Sequence, residues 1–344
     1  MAARLKGRQQ PSYQLTPRHT DSYGPDAAAL AEGYGMPPDP WQRLILDGWM
    51  GTLKDGRWAA GDCGVSVPRQ NGKNGVIEFL ELYDTAILGL KILHTAHEVK
   101  TCRKHFLRMK NYFENARQYP ELAAAVDYIR NTNGQEAIVL TNGGSIEFIA
   151  RSKSSGRGFT VDILVCDEAQ ELTDEQMEAI QPATSSAPSG NPQTIYAGTP
   201  TPPSSPGTVF ERIRRTARTV KPKRTCWYEW GVEEIGDIHD RTRWAQANPS
   251  LGIRLVETVI ESEVSKFTPE GFARERLGWW DESQSNATEI NPDDWAACKT
   301  DHPCQEGRNS FAVKFSPDGA TASLVACVLS LIHISEPTRL LSIS

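Results

Sequence analysis

The chain has 344 residues, a hydrophobic content of 39% and a net charge of −6, which suits a globular protein long enough for two domains. The sequence pI of ≈ 5.7 excludes a global basic field, although a local basic face remains possible. Seven cysteines are scattered singly without a CxxC pair, which indicates a reducing compartment and no structural zinc. We find neither an apolar run that could span a bilayer nor a signal-peptide core at the start.

The N-terminal part of the chain predicts an arm followed by a helix. Residues 1–36 are rich in glycine, proline and charge, so we expect a loose arm. Asp39-Pro40 is a start signal for a helix with apolar residues on one side. Trp41 is expected to pack on the core. Gln42 could contact an adenine edge, because a side-chain amide donates and accepts at once.

A phosphate-binding loop is indicated at residues 65–78, which read VSVPRQNGKNGVIE. The apolar strand Cys63–Val67 runs into a polar turn, and a helical pattern of apolar residues follows. Backbone N–H groups and the dipole at a helix N-terminus favour an anion. Lys73 would reach the β- and γ-phosphates, and Gly72 would let the backbone approach them.

This loop departs twice from the pattern G-x-x-x-x-G-K-[ST]. Val67 stands at the first glycine position, and Asn74 stands at the Ser/Thr position. A Gly-Lys pair in an exposed turn is the alternative interpretation. The nucleotide hypothesis therefore depends on a partner motif further along the chain.

That partner is an acidic pair at the end of a strand. Ile163–Cys166 is an unbroken apolar run, which is typical of a strand buried on both faces of a parallel sheet. Asp167 and Glu168 close it at the carboxyl end, where ligands bind in open α/β sheets. Asp167 would hold Mg²⁺, and Glu168 would orient and activate the attacking water. The alternative is a helix N-terminus with acidic residues, which the Gly-Lys loop ahead disfavours.

Alternating strands and helices up to about residue 225 predict a doubly wound, mainly parallel sheet. One strand ends at Gly198-Thr199-Pro200, which places the Thr199 hydroxyl at the same edge, either as a sensor of the γ-phosphate or in an ordinary strand exit. The other predicted elements are the strands Lys91–Ala96, Glu136–Leu140, Ser145–Ala150 and Thr194–Ala197, and the helix Val99–Asn115.

The ordered motifs resemble the large subunit of tailed-bacteriophage terminases. They read PWQRLIL, PRQNGKN, VCDEAQE, YAGTPT, WAQANPSLG and FARERLGWW. That family packages viral DNA into procapsids with a P-loop ATPase joined to an RNase H-like nuclease. The resemblance implies an arm at 1–36, a P-loop ATPase core at 37–225, a linker or lid subdomain at 226–300 and the start of a nuclease domain at 308–329.

The resemblance also implies roles for single residues. Lys73 matches the Walker A lysine, and Asp167 with Glu168 matches the Walker B pair. Thr199 matches the coupling motif, and Gln42 matches the glutamine on the adenine side. The implied nucleotide contacts are Gln42, Pro68, Arg69, Gln70, Asn71, Gly72, Lys73 and Asn74.

Arginines complete the implied catalytic set. Arg69 matches the arginine of the family's variant loop, which stabilises charge in cis. Arg157, or else Arg151, is the candidate for an arginine that acts in trans on a neighbouring subunit. Asn74 departs from Ser/Thr, but an amide oxygen still ligates a hard cation.

The C-terminal part resembles only the beginning of the nuclease. Phe311–Leu329 looks like its first strand, turn and second strand. Lys314 stands inside the first strand, and Asp318 in the turn is the nearby candidate for a metal ligand. An RNase H-like site needs several carboxylates to hold two Mg²⁺ or Mn²⁺ ions, so we expect no nuclease activity. Residues 330–344 resemble translated sequencing-adapter sequence and are left out of the fold prediction.

The implied function is a motor that uses ATP and Mg²⁺ to translocate double-stranded DNA into a procapsid. The implied partners are DNA, the terminase small subunit, the portal protein and further copies in a ring, in the bacterial host cytoplasm and transiently on the procapsid. Two alternatives stay open. One is a P-loop DNA helicase or translocase, which further helicase motifs would favour. The other is a catalytically weak nucleotide-binding scaffold, which Val67 and Asn74 favour.

Overall fold

A computed structural model of the chain describes residues 5–153, 155, 158–281, 299, 308–315 and 322–329. The chain divides into two units, Met1–Ser285 and Asn286–Ser344, and each is described by itself. The strands of the first unit are β1 Tyr13–Leu15, β2 Asp21–Ser22, β3 Gly51–Thr52, β4 Asp62–Ser66, β5 Lys91–Ala96, β6 Val126–Arg130, β7 Glu136–Leu140, β8 Ser145–Ala150, β9 Ile163–Asp167, β10 Gln193–Gly198 and β11 Thr225–Glu229. Its α-helices are α1 Gly24–Gly33, α2 Pro40–Trp49, α3 Lys73–Ala86, α4 Val99–Glu114, α5 Pro120–Ala124, α6 Asp174–Ile180, α7 Val209–Thr219, α8 Arg241–Ala247, α9 Glu257–Val264 and α10 Pro269–Leu277.

Nine strands of the described part form one sheet, in the order β1-β11-β4-β10-β9-β5-β8-β7-β6. The six strands from β11 to β8 run parallel. Strand β1 pairs antiparallel with β11 at one edge, and β7 pairs antiparallel with both β8 and β6 at the other. In register, Ser66 pairs with Gly198, and Ala197 pairs with Asp167. Parallel pairing therefore brings the carboxyl ends of β4, β10 and β9 to one edge, which confirms the predicted doubly wound fold.

Strand β9 shows why this sheet is buried on both faces. Ile163 and Val165 belong to the apolar cluster on one face, together with residues of α2, α3 and α4. Leu164 and Cys166 point to the opposite cluster, which includes Phe210 of α7. Since neighbouring side chains of a strand alternate between faces, an unbroken apolar run is what a sheet covered on both sides requires.

The N-terminal segment is ordered in the structure, in contrast to the prediction from sequence. The prediction of a loose arm at 1–36 is wrong for the described residues of that range. Strand β1 pairs with β11, and the Gly7 N–H donates to the Leu251 carbonyl at 2.8 Å. Helix α1 packs on the core through Ala27, Ala28 and Ala31, which are fully buried. Small side chains and short strands leave only a weak hydrophobic periodicity in the sequence of this segment. Its order depends instead on contacts with residues that are distant in sequence.

The boundary of the linker subdomain also shifts. The predicted linker began at residue 226, but β11 pairs with β4 inside the main sheet. Helices α8, α9 and α10 follow and share their own apolar cluster, which includes Trp244, Leu251, Phe272 and Leu277. The linker subdomain therefore starts after β11. Within the residues that the structure describes, no helix is both long and apolar enough to cross a membrane.

In the second unit, β12 Arg308–Phe315 and β13 Ala322–Leu329 pair antiparallel, with Phe311 opposite Ala326. The two predicted strands are therefore present, and the predicted turn between them lies outside the described residues. Asp318 and the range 330–344 lie outside the described residues. A metal role for Asp318 and the expected lack of nuclease activity therefore stay predictions.

Candidate nucleotide-binding site

The loop between β4 and α3 has the geometry of an anion site. Helix α3 begins at Lys73, and Gly72 precedes it with a φ of 89°. The backbone of Gln70 is also in the left-handed region, with a φ of 63°. This backbone suits glycine at position 72, and a Cβ there would lie 3.0 Å from an Arg254 nitrogen. The first N–H groups of α3 therefore face the cleft with the positive end of the helix dipole.

Lys73 and Asp167 form an ion pair across the sheet edge. The ammonium donates to Asp167 Oδ1, and Asn74 Nδ2 donates to Oδ2 at 3.3 Å. Asp167 is only 1% exposed. Burial alone would raise the pKa of this carboxyl, but the Lys73 ammonium outweighs that effect, and the pKa lies below its usual range. The carboxylate is therefore held ionised beside the phosphate loop.

Glu168 adopts a strained backbone conformation at the end of β9. Its φ is 50° and its ψ is 47°, a left-handed region that residues other than glycine rarely adopt. This turns the side chain toward α4, where Thr101 Oγ1 donates to Glu168 Oε1 at 3.3 Å. Glu168 Oε2 is buried without a protein partner among the described residues. One oxygen is therefore anchored and the other remains able to accept a proton.

Thr199 lies at the end of β10, as predicted. It is buried, and its N–H donates to Gln170 Oε1 at 3.3 Å. Gln170 follows the acidic pair, so this bond links the ends of β9 and β10. The Thr199 role as a γ-phosphate sensor stays a prediction.

These groups line a cleft of about 540 Å³. Such a volume lies within the range of about 300–1,000 Å³ that small-molecule sites occupy. Four basic side chains and two acidic ones contribute to its wall. The lining residues are Pro68, Arg69, Gln70, Gly72, Lys73, Asn74, Gly75, Thr101, Lys104, Arg108, Asp167, Glu168, Gln170 and Thr199. The cleft thus combines cationic groups for phosphates with a carboxylate for a divalent cation.

The oxygens present fit Mg²⁺. This ion prefers carboxylates, other hard oxygen ligands and substrate phosphates. Asp167 is ionised and close to Lys73, and the Asn74 amide nitrogen donates to it. The Asn74 side-chain oxygen is therefore left available as a ligand, so the substitution of Ser/Thr by Asn keeps a donor for the metal.

Gln42 is fully buried beneath the phosphate loop. Its Oε1 accepts from the Asp39 N–H at 2.8 Å, which caps α2. Its Nε2 donates to the Gly72 carbonyl at 2.9 Å. The amide therefore supports the loop in this conformation, and its contact with adenine stays a prediction.

Two of the predicted arginines have distinct positions. Arg69 lies at the mouth of the cleft, 60% exposed, and pairs with Glu275 of α10 at 2.7 Å. The alternative prediction that Arg151 acts in trans is contradicted by its burial and its contacts. It is 5% exposed, and its guanidinium donates to the carbonyls of Asp167 and Glu168. Arg157 lies outside the described residues, so its role in trans stays a prediction.

The linker subdomain contacts the phosphate loop through hydrogen bonds that the sequence pattern does not predict. Asn71 Nδ2 donates to Asn248 Oδ1 at 2.9 Å, and the Ser250 N–H donates to Asn71 Oδ1 at 3.1 Å. Arg276 donates to the Arg69 carbonyl at 2.9 Å. The motif WAQANPSLG contains the first two partners, but spacing alone gives no indication that they contact the loop.

Comparisons with known proteins identify the fold. No family model and no curated protein sequence matches the chain. The large terminase of bacteriophage HK97 superposes with a TM-score of 0.66 and 17% identity, over 89% of this chain and 67% of that one. The ATPase domain of the Thermus phage P74-26 large terminase gives a TM-score of 0.46 at 16% identity, over 73% and 96%. The large terminase of a thermophilic bacteriophage in complex with ADP gives 0.47 at 12%, over 70% and 52%.

This chain thus spans between about half and two thirds of the complete terminases on which it superposes. At such low identity the likeness concerns the fold. The match to the HK97 protein covers most of the chain. This chain has the P-loop α/β fold of a bacteriophage large terminase.

Proposed function

We propose that this chain is the ATP-hydrolysing motor subunit of a bacteriophage terminase and moves double-stranded DNA into a procapsid. The observation that supports this best is the meeting of Lys73, Asp167 and Glu168 at the carboxyl edge of a terminase-like sheet. A loop lysine, a buried ionised aspartate and an adjacent glutamate are the parts that phosphoryl transfer to water requires.

Lys73 exchanges partners in this mechanism. Without nucleotide its charge is neutralised by Asp167. The β- and γ-phosphates of ATP at the start of α3 would attract the ammonium, because they concentrate negative charge at the helix N-terminus. Asp167, with Asn74, would then be free to hold Mg²⁺, which neutralises charge on the phosphate oxygens.

Glu168 acts on the attacking water. Its Oε2 has no protein partner in the described part of the chain, so it can accept the water proton. Thr101 holds the other oxygen and limits rotation of the carboxylate. Arg69 at the cleft mouth would stabilise charge in cis, and Arg157 would do so in a neighbouring subunit. Thr199 would sense the γ-phosphate at the end of β10.

The assembly follows from the same proposal. The subunits form a ring on the portal protein of the procapsid, in the cytoplasm of the bacterial host, and the small subunit presents the DNA. Since the chain is acidic overall, DNA contact requires a local basic face. The exposed basic residues of α4 are one such face, and two of them, Lys104 and Arg108, also line the cleft. The residues of this face are Lys100, Arg103, Lys104 and Arg108.

ATP hydrolysis with and without DNA tests the proposal. We expect the full chain to release phosphate from ATP, and linear double-stranded DNA to stimulate the rate. Lys73→Ala should lower hydrolysis by about 10²-fold, the scale for loss of a charged group at a transferring phosphate. Lys54→Ala removes an exposed lysine that lies neither on α4 nor in the lining of the cleft, and it should hydrolyse ATP as the unaltered chain does.

Three outcomes separate the alternatives. Absence of hydrolysis in the unaltered chain, with nucleotide binding retained, would support a weak nucleotide-binding scaffold and contradict the motor. Displacement of a labelled DNA strand during hydrolysis would support a helicase instead. Equal hydrolysis by Lys73→Ala would show that this cleft is not the site.

A further inference from the structure

Three fully buried polar side chains form a cluster behind the cleft. Glu81 comes from α3, His94 from β5 and His105 from α4. His94 Nδ1 lies 2.6 Å from Glu81 Oε1, and His105 Nε2 lies 2.7 Å from Glu81 Oε2. The two imidazoles stack with centroids 3.9 Å apart, and Phe148 of β8 covers both. One carboxylate thus joins three elements of the nucleotide domain.

The charges of the cluster compensate each other. Burial would raise the pKa of Glu81, but His105 and His94 lower it to about 2. Burial would lower the pKa of His105, but Glu81 raises it above its ordinary value. His94 is different, because burial and the neighbouring His105 lower its pKa. The cluster is therefore a carboxylate paired with the His105 imidazolium, with His94 as a neutral donor.

The geometry favours hydrogen bonds over a metal ion. A tetrahedral zinc site with ligands at about 2.0–2.2 Å would hold the ligand atoms roughly 3.3 Å apart. The observed nitrogen–oxygen distances of 2.6 and 2.7 Å are hydrogen-bond lengths. Metal-bound imidazoles also donate their second nitrogen to a partner. His94 Nε2 and His105 Nδ1 have none among the described residues.

The cluster lies between the two helices that build the cleft. Helix α3 begins at Lys73, and Glu81 lies about two turns further on. Thr101 lies one turn before His105 on α4 and donates to Glu168. We propose that Glu81 is a positioning residue. Through His105 it holds α4 against α3, through His94 it holds α3 against β5, and it thereby places Thr101 beside Glu168. The catalytic part of this inference rests on the proposed ATPase function.

Other charged and titratable groups face the cluster from every element around it. On α3 these are Glu78, which pairs with Arg108 of α4, and Asp84, which is fully buried. On α4 Cys102 is near, and on β9 Asp167 acts on both imidazoles through its charge. None of these groups accepts a hydrogen bond from either imidazole among the described residues, so Glu81 is the acceptor that joins both imidazoles. Glu78 joins α3 and α4 separately, through Arg108 and through the Tyr112 hydroxyl, which donates to it at 3.1 Å.

The test compares Glu81→Gln with Asp84→Asn in the full chain. Asp84 lies one turn away on the same helix and is fully buried, and its carboxyl group has no hydrogen-bond partner among the described residues. It therefore controls for loss of a buried acid on α3. Hydrogen exchange of the α4 amides and steady-state ATP hydrolysis are measured for both. Glu81→Gln should accelerate exchange over Val99–Glu114 and lower kcat, each by about tenfold, with nucleotide affinity changed less than threefold.

A rescue series adds a second criterion. His105→Ala should behave as Glu81→Gln does, whereas His105→Gln keeps a donor for Glu81 Oε2 and should recover most of the loss. Unchanged exchange in α4 for Glu81→Gln, or equal effects of Asp84→Asn, would overturn the proposal. Hydrogen exchange of the α4 amides can be measured without ATPase activity. A failure of the proposed function would therefore not affect the test of the Glu81 contacts. Stoichiometric metal in the purified chain, lost in Glu81→Gln, would replace the proposal by a metal site.

Discussion

Arg151 Nη1 donates to the backbone carbonyl of Asp167 at 2.7 Å, and Nη2 donates to that of Glu168 at 2.9 Å. A buried guanidinium thus supports the strand end that carries the acidic pair. Since Nη1 also donates to both oxygens of Thr95, this one side chain joins β5, β8 and β9 behind the cleft.

Arg151→Lys should therefore destabilise the protein and slow hydrolysis. An ammonium cannot reach all of these acceptors, and buried carbonyls would be left unpaired. We expect the free energy of unfolding to fall by about 2–4 kcal/mol in urea titrations. Lys153→Ala, at an exposed position two residues away, is the control and should change little. Full stability of Arg151→Lys would restore the idea that this arginine acts in trans.

The fold was largely predictable because its central strands are unusual in composition. Ile163–Cys166 is apolar throughout, and its residues are divided between the apolar clusters on the two faces of the sheet. Strand Lys91–Ala96 and the hairpin strands Glu136–Leu140 and Ser145–Ala150 are confirmed with the predicted bounds. Each of these strands has a periodicity or a turn signal of its own.

The rest of the site could not be predicted from local pattern. Asn71 contacts Asn248 and Ser250, which are separated from it by more than 170 positions, and only the folded linker brings them together. Glu81, His94 and His105 occupy helix and strand positions that sequence alone assigns to ordinary elements. Strand β1 is three residues long and depends on pairing with β11.

The hydrogen bonds of Asn71 with Asn248 and Ser250, called here the linker clamp, give a second prediction. Asn71→Ala should lower the free energy of unfolding by about 2–3 kcal/mol, because it leaves buried donors and acceptors of the linker unpaired. It should also weaken ATP binding, since the loop loses its support. Calorimetry of nucleotide binding and urea unfolding measure the two effects. Asn133→Ala, in an exposed turn, should alter neither, and similar behaviour of both variants would refute the clamp.

Asn74 gives a third prediction. Asn74→Ala removes the amide that donates to Asp167 at 3.3 Å and the oxygen available to Mg²⁺. The Mg²⁺ concentration for half-maximal hydrolysis should rise about tenfold, the lower end of effects for lost metal-site partners. Asn74→Ser restores the residue usual in phosphate loops and should stay close to the unaltered chain. If the Mg²⁺ dependence of Asn74→Ala is unchanged, Asn74 has no part in the metal site.

The buried cluster predicts a dependence of stability on pH. The pKa of His105 is raised in the folded state, so its contribution is full below the unfolded value of about 6.5 and is lost as pH rises through the folded value. The difference in free energy of unfolding between the unaltered chain and His105→Gln should therefore shrink as the pH rises above about 6.5. Urea titrations across this range measure it. A difference that grows with pH would contradict the imidazolium assignment.

The most direct test of the account is a single-turnover comparison of Glu168→Gln with the unaltered chain, with Glu175→Gln as an exposed control. The side chain keeps its shape but can no longer accept a proton. ATP binding should be retained, and phosphate release should slow by about 10²-fold or more, the scale for a positioned general base. The exposed control should release phosphate as the unaltered chain does. Phosphate release by Glu168→Gln at the unaltered rate would show that this carboxylate does not activate water and that the proposed catalytic site is wrong.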